Sequence, residues 1–551
     1  MSTTGRVPKL ATMMLACTAL STGAAAQAAP SAGDRDRRIE ALEAQVQVLT
    51  RMVAEMRAQR GSGSTSSAAT APVQAGRPLL ATAAPNAASP PATSPDQPRP
   101  ITSSGPGPNQ GGATILAGRP SIQSGDGRFV ANLHGVMQFD SAYYFQRRAG
   151  ALATDLRRGG ATGDTAHARD LNSGTDFRRA RIGIDGKVFG DFDYNVLFDF
   201  AGSGAEDAGH IQELWLQYTG LQPFRLRIGA FPPSIGLEDQ NSTNGMPFLE
   251  RPAISDIARG IAGGDFREAV QFAASRSRWF VAASVTTRLV GTINSTATGN
   301  AQSFDQNLGG ILRVAAVPLQ GDDWLVHTGV HASRVFSVAD ASGPGGAAPR
   351  FPVQLRERPE LRVDGTRLID TGQINARHVT EGGLELAAQK GPFYVQGEYE
   401  RIRIDRRESP LANPKFDGWY VEGSWVLTGE RRKYNTGTFA FDAPPVDHPF
   451  DIANHSWGAF EIAGRYSLVD LDYHQGSAGT ATPAEGVRGG RQKIIAGGVN
   501  WYPNPVIRFM LDFQHVDIDR LSPSAAAYVT PVGAEVGQHY NAVSFRSQLA
   551  F

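Results

Sequence analysis

The chain is poor in three features, and each shortage excludes a class of protein. It has one cysteine, Cys17, so disulfide bonds cannot hold the fold together. After the first 28 residues it contains no apolar run of about 18 residues, the length that a transmembrane helix needs. It has no excess of either charge, with 53 basic and 53 acidic residues, which argues against a general nucleic-acid-binding protein.

Residues 1–28 have the composition of an export signal peptide. A positively charged start is followed by a short apolar run and then by small side chains, with cleavage expected after Ala26 or Ala28. Cys17 lies within this segment and would be removed with it; a lipoprotein anchor on Cys17 is an alternative that the preceding residues fit poorly. An exported chain without a spanning helix is either a soluble periplasmic protein or a membrane β-barrel.

Residues 34–60 repeat apolar side chains at alternating spacings of three and four, which predicts a short coiled coil. Its seam is Ile39, Leu42, Val46, Leu49, Val53 and Met56. A single amphipathic helix on a surface is the alternative, although isolated helices of this length are marginal in water. Residues 61–127 are rich in Pro, Ala, Gly, Ser and Thr, and this composition predicts a disordered linker.

Residues 128–551 consist of strand-sized segments in which apolar and polar side chains alternate. In one of them Ile182 and Ile184 share a face, while Arg179 and Arg181 share the other. Aromatic side chains lie near the strand ends on the apolar faces, as at a lipid interface. Roughly 26 residues per strand and connection gives about 16 strands. The sequence therefore predicts an all-β fold, a transmembrane antiparallel β-barrel preceded by the coiled coil and the linker.

The C-terminal segment supports this prediction. Val543, Phe545, Leu549 and Phe551 recur at even spacing up to the last residue, although chain ends are usually frayed and polar. We interpret Phe551 as the end of a strand that is tied into the sheet and read by the barrel assembly machinery. An ordinary antiparallel sheet with a buried last strand is the alternative.

The basic side chains are mostly guanidinium groups, since only six of the 53 basic residues are lysine. Arginine suits bidentate contact with phosphate and carboxylate groups. Codon bias in a GC-rich genome would explain the number, so placement is more informative. The predicted lumen faces carry Arg179, Arg181, Lys187, Arg225 and Arg227. Such rows can select anions, but carboxylates on the same faces make a wall of internal ion pairs an equal alternative.

No catalytic or metal-binding pattern is evident. Only His327 and His331 are four residues apart, and residues four apart in a strand are separated by about 13 Å, too far for one metal. We therefore expect no cofactor and no enzymatic activity. A barrel-embedded hydrolase remains an alternative without a nucleophile elbow to support it, and a structural role in fastening the envelope is another.

Several segments together resemble the phosphate-selective porin O/P family over residues 129–551. These are residues 177–187, 228–238, 248–251, 419–431, 458–466 and 498–504. The resemblance implies a homotrimer of sixteen-stranded barrels in the bacterial outer membrane, in contact with its lipid. It also implies passive diffusion of small anions, phosphate or polyphosphate. For such an outer-membrane barrel we expect the N-terminal coiled coil to lie in the periplasm.

The resemblance further implies that a loop from residue 232 to about 265 folds into the lumen as a constriction. Its charged side chains include Glu238, Asp239, Glu250, Arg251 and Arg259. Acidic residues outnumber basic ones in this loop, which is unfavourable for an anion filter.

Overall fold

The computed structural model describes residues 111–116, 118–146, 171–201, 209–262, 264, 267–289, 305–340, 349–523 and 532–551. The predicted signal peptide, the coiled-coil seam and most of the predicted linker lie outside the described residues. All described residues belong to one compact unit, Asp96–Phe551. None of the helices in these ranges is long and apolar enough to cross a membrane.

Two short strands precede the barrel, β1 (Gly112–Leu116) and β2 (Arg119–Gln123), and they pair antiparallel. The second also pairs with residues 130–132 at the start of the barrel. The last part of the predicted linker thus includes a strand hairpin, residues 112–123. A five-residue strand is too short to show alternation of apolar and polar side chains in the sequence. These strands are instead stabilised by pairing with residues farther along the chain.

Sixteen of the described strands form a closed antiparallel barrel, as the sequence predicts. They are β3 (Val130–Gln146), β4 (Gly174–Val188), β5 (Phe192–Asp199), β6 (His210–Tyr218), β7 (Phe224–Ala230), β8 (Arg267–Arg276), β9 (Trp279–Leu289), β10 (Leu308–Gln320), β11 (Trp324–Ser337), β15 (Ile374–Lys390), β16 (Phe393–Arg406), β17 (Lys415–Val426), β20 (Ala459–Tyr473), β21 (Val487–Tyr502), β22 (Ile507–Asp519) and β23 (Gln538–Ala550). The last strand pairs with the first, from Tyr540–Gln146 to Ala550–Val136. No barrel strand is left with an unpaired edge.

Phe551 completes the closure beyond the last strand. Its backbone N–H donates to the Gly135 carbonyl, and the Gly135 N–H donates to the Phe551 carbonyl, both at 3.0 Å. The Phe551 ring lies against Gly135, where a Cβ atom would come within 2.8 Å of the ring. The chain end is thus tied into the sheet.

The two faces of the barrel have inverted polarity relative to a soluble protein. In β22 the side chains of Leu511 and Phe513 are about half exposed, whereas Asp512 and Gln514 are 1% and 2% exposed. β16 shows the same arrangement, since the apolar side chain of Val395 is exposed on the outer face. This alternation places apolar groups outside, towards lipid, and polar groups inside.

Aromatic rings form a belt at the barrel end that carries most of the short connections. Trp501 stacks on Phe460 at 6.0 Å and on Phe509 at 5.5 Å, and Phe509 continues to Phe545 at 6.2 Å between ring centroids. These rings belong to four consecutive strands. Aromatic belts of this kind mark the interface between lipid and water.

Three connections fold into the barrel. The β7–β8 connection contains helices Leu237–Gln240 and Ala253–Ala262. The β11–β15 connection contains β12 (Pro352–Val353), β13 (Arg356–Glu357) and β14 (Ile369–Asp370). The β17–β20 connection contains the hairpin of β18 (Tyr434–Asn435) and β19 (Ala440–Phe441). Because the strands alternate in direction, the first two connections enter from one end and the third enters from the other.

Candidate functional site

The β7–β8 connection, which the sequence predicts as the constriction loop, is fixed by the carboxylate of Glu250. Arg178 approaches it at 2.6 Å, Arg546 at 3.0 Å and Arg362 at 3.3 Å, and the Glu250 side chain is 4% exposed. Burial alone would raise the pKa of Glu250, but these guanidinium groups hold it well below its ordinary value. Arg546 of β23 also pairs with Asp140 of β3 at 2.6 Å. The loop is therefore joined to the place where the last barrel strand meets the first.

The other acidic side chains that the structure describes in this loop are also neutralised or buried. Asp239 pairs with Arg259 of the same loop, and Asp256 pairs with Arg362 at 2.8 Å. Glu238 accepts hydrogen bonds from Asn241 and Gln396, and burial raises its pKa, which favours the uncharged form. The described carboxylates of the loop therefore present little free negative charge to the lumen.

Arg251, the fifth predicted residue of the constriction loop, shapes the loop from within. Its guanidinium donates to the backbone carbonyls of Glu238, Asp239 and Asn241 at 3.2–3.3 Å, and the residue is 5% exposed. This arrangement satisfies three carbonyls of an irregular segment, which would otherwise be buried without partners. All five predicted residues therefore lie in the inward-folded connection, and Arg251 acts there on the backbone.

The β18–β19 hairpin meets this loop from the opposite end of the barrel. The Phe441 N–H donates to the side chain of Asn241 at 2.8 Å. Arg313 of β10 donates to the carbonyls of Thr438 and Phe439 at 2.7 and 2.9 Å. The lumen is therefore narrowed from both ends, and only the β7–β8 connection is predicted from the sequence.

Three of the five predicted basic wall residues are engaged by neighbouring side chains. Arg181 pairs with Asp199 at 2.7 Å, and Lys187 pairs with Asp193 at 2.5 Å. Arg179 is 2% exposed and donates to Gln138 at 2.5 Å. At these positions the wall is a network of polar contacts and ion pairs.

Arg225 and Arg227 of β7 differ from the other three. Among the described residues no carboxylate lies within 4.0 Å of either guanidinium; Arg225 donates to the Gly437 carbonyl of the hairpin at 2.8 Å, and Arg227 donates to Gln217 at 3.0 Å. The Arg227 guanidinium also lies over the Trp215 ring, 4.2 Å from its centroid. These two positive charges are therefore held in place without being neutralised at short range.

A second group of arginines fixes the inserted connections and was not predicted from the sequence: Arg313, Arg432, Arg465, Arg508 and Arg546. Four of them lie at inward-facing strand positions, where the same alternation argument could have found them. Arg432 lies in the β17–β20 connection, where alternation gives no information. Their partners are mostly loop carbonyls, which no sequence pattern reveals.

A cavity of about 510 Å³ lies where the loop, the hairpin and the barrel end meet. Arg119, Lys433 and Arg508 line it together with Asp185 and Asp442. Arg119 pairs with Asp185. Basic side chains thus outnumber acidic ones in this cavity.

A closed barrel with an apolar exterior, a charged interior and inward-folded loops is an outer-membrane channel protein. The chain belongs to a particular family of such channels, since the family described as "Phosphate-selective porin O and P" matches residues 159–551. This confirms the family that the sequence motifs indicate.

Two relatives are similar to the chain over nearly two thirds of its length. Porin O of Pseudomonas aeruginosa is 25% identical over 368 residues, which are 63% of this chain and 77% of that protein. A protein of Caulobacter vibrioides described as uncharacterized is 23% identical over 359 residues, 64% of this chain and 65% of that protein.

Solved barrels resemble the chain more distantly. The anion-selective porin from Comamonas acidovorans has a TM-score of 0.41 at 11% identity, covering 76% of this chain and 99% of that one. Pseudomonas putida OprB has a TM-score of 0.43 at 8% identity, covering 76% of this chain and 94% of that one.

Proposed function

We propose that this outer-membrane channel passes small anions by passive diffusion, phosphate or polyphosphate first, and that it has no catalytic activity. The observation that carries the proposal is the pair Arg225 and Arg227, whose charges have no carboxylate within 4.0 Å among the described residues. They lie on one strand of the lumen wall, beside the hairpin that narrows the lumen. The family description, "Phosphate-selective porin O and P", points to the same class of solute.

The chemistry of these two side chains suits transient binding. A guanidinium offers several donors in a plane and can replace part of the hydration shell of an oxyanion. Arg225 and Arg227 are two residues apart in a strand, so their groups share a face about 7 Å apart, close enough for successive contacts. Two weak neighbouring sites let an anion enter and leave again, which a single tight site would not.

Planar-bilayer recordings in a salt gradient test the proposal. We expect the wild-type channel to prefer anions, and we expect Arg225→Glu combined with Arg227→Glu to lower the anion-to-cation permeability ratio by roughly tenfold, which corresponds to about 1.4 kcal/mol. Arg401→Glu is the matched control, because Arg401 is an exposed residue on the outward face of β16.

A cation preference in the wild type would reject the anion channel. Equal effects of the Arg225/Arg227 and Arg401 variants would reject the placement of the pathway along β7. A folded barrel that conducts nothing would favour a structural role in the envelope, and ester hydrolysis by the purified protein would favour the hydrolase alternative.

We further propose a homotrimer whose N-terminal seam, Ile39 to Met56, lies in the periplasm as a coiled coil, and whose C-terminal strand is recognised by the barrel assembly machinery. The coiled-coil pattern supports self-association. Mass measurement of the detergent-purified protein should give three chains per particle. Replacement of Leu42 and Leu49 by Ser should weaken the trimer if the seam contributes to it.

A further inference from the structure

A compact group of acidic side chains surrounds one histidine inside the barrel wall. The strand register places His331 of β11, Gly383 of β15 and Glu400 of β16 in a single cross-strand row. Glu381 precedes Gly383 by two residues and shares its face. The pairing of three strands therefore brings one imidazole and two carboxylates together, although they are widely separated in the sequence.

The distances between these groups fit one small cation. His331 Nε2 lies 3.3 Å from Glu381 Oε1 and 2.8 Å from Glu400 Oε2, and one ligand atom from each residue lies within 4.8 Å of the others. Tetrahedral zinc with bonds of about 2.1 Å needs ligand atoms about 3.4 Å apart. A small movement of the Glu400 side chain away from His331 would bring the shorter distance to this value.

Glu381 points to a missing ligand because its charge is not fully matched. It is 1% exposed, neither carboxylate oxygen accepts a hydrogen bond among the described residues, and its ion-pair contact is His331 Nε2 at 3.3 Å. The same nitrogen faces Glu400, so two buried carboxylates share at most one positive charge, and a further cation or a proton is needed to compensate the second. Glu400 is equally buried, and its hydrogen bond is to the same histidine.

The other carboxylates near His331 already have partners. Glu398 accepts from the Glu238 N–H and from the Tyr420 hydroxyl. Glu385 is paired with Arg313 at 2.8 Å. These two are therefore less available as ligands than Glu381 and Glu400.

Glu385 has a second role, because it orients the histidine. His331 Nδ1 lies 3.1 Å from Glu385 Oε1, so the Nδ1–H can donate to this carboxylate. That tautomer leaves the lone pair of Nε2 facing Glu381 and Glu400. Metal-binding histidines commonly donate their other ring N–H to a carboxylate in this way.

We propose that His331, Glu381 and Glu400 bind one divalent metal ion, with Zn²⁺ as the preferred ion. Imidazole and carboxylate ligands together suit Zn²⁺, and its two positive charges match the two carboxylates. The site lies behind the constriction loop, since neighbouring Glu398 accepts from the backbone of that loop. The metal would hold three wall strands in register where the loop rests against them.

Gly383 and Gly382 provide a matched pair of variants. A Cβ atom on Gly383 would lie 2.2 Å from His331 Nε2 and 2.3 Å from Glu400 Oε2, so Gly383→Ala occupies the space of the metal. A Cβ atom on Gly382 would meet only an ordinary contact at 3.7 Å. Glu381→Gln removes one ligand charge while keeping the shape of the side chain.

The test uses the full chain, unfolded with a chelator and refolded in detergent with or without Zn²⁺. We expect one zinc per chain in the wild type and in Gly382→Ala, and less than a tenth of that in Glu381→Gln and Gly383→Ala. Co²⁺ in place of Zn²⁺ should give the visible absorption of a tetrahedral site. Folded wild type without bound zinc, or zinc retained equally by Glu381→Gln, would overturn the proposal and indicate a proton shared between the carboxylates.

Discussion

Glu250 lies where three guanidinium groups converge, and its replacement tests how the constriction loop is held. Glu250→Gln leaves Arg178 without its carboxylate and removes one of the two carboxylates that face each of Arg362 and Arg546, which keep Asp256 and Asp140. We expect the free energy of unfolding to fall by about 3 kcal/mol, measured by urea titration in detergent. Glu408→Gln is the control, since the Glu408 side chain is 86% exposed and should change stability little. Equal stability of the two variants would contradict the role assigned to Glu250.

The same carboxylate gives a pH dependence. The pKa of Glu250 is lowered in the folded state, so its pairing contributes fully above the unfolded pKa of about 4.3 and is lost as the pH falls through the lower folded value. We expect little change in unfolding midpoint from this group between pH 8 and 5. The midpoint should drop more steeply below pH 4 in the wild type than in Glu250→Gln, and parallel curves would count against the assignment.

At the level of secondary-structure elements, the β18–β19 hairpin is the segment best placed to limit the passage of ions through the lumen. Arg313 and Arg225 hold its carbonyls, and it meets the constriction loop at Asn241. Replacing residues 434–441 by a short Gly-Ser turn should raise single-channel conductance, because it removes an obstruction and frees the Arg225 guanidinium, while Arg313 stays paired with Glu385. Unchanged conductance would mean that the current bypasses the hairpin.

The C-terminal strand allows a second test at this level. Deleting Phe551 removes two backbone hydrogen bonds with Gly135, so we expect a loss of about 2 kcal/mol in unfolding free energy. Phe551→Ala keeps both bonds and loses only the ring contact, so it should lie between the deletion and the wild type. A deletion as stable as the wild type would show that these bonds add nothing to barrel closure.

For the whole molecule, the closed sheet leaves none of its sixteen barrel strands with an unpaired edge. Each barrel strand is hydrogen-bonded to a neighbour on both sides, so no strand can separate alone. The barrel should therefore resist unfolding by detergent. We expect the unboiled protein to migrate in SDS gels at a different position from the boiled chain, more slowly as an intact trimer or faster as a folded single barrel. Identical migration would indicate an open or unfolded sheet.

The β3–β4 pairing shows where sequence reasoning stops. Strict alternation over 177–188 assigns Arg179 and Arg181 to one face and Arg178 to the other. The structure has a register shift between Gln138 and Phe139, opposite this position, and Arg178 reaches Glu250 in the inserted loop. A bulge depends on the neighbouring strand, so local periodicity cannot locate it.

What the sequence alone determined is the class of fold, the approximate strand number and the position of the inserted β7–β8 connection, because period-two alternation and motifs are local properties of the chain. Only the tertiary structure decided which charges are neutralised. Glu250 pairs with arginines from β4, β23 and a distant loop, and Glu381 meets His331 and Glu400 through the register of three strands. Electrostatic energies depend on separations of a few ångströms, and those separations are set by pairings between residues far apart in the chain.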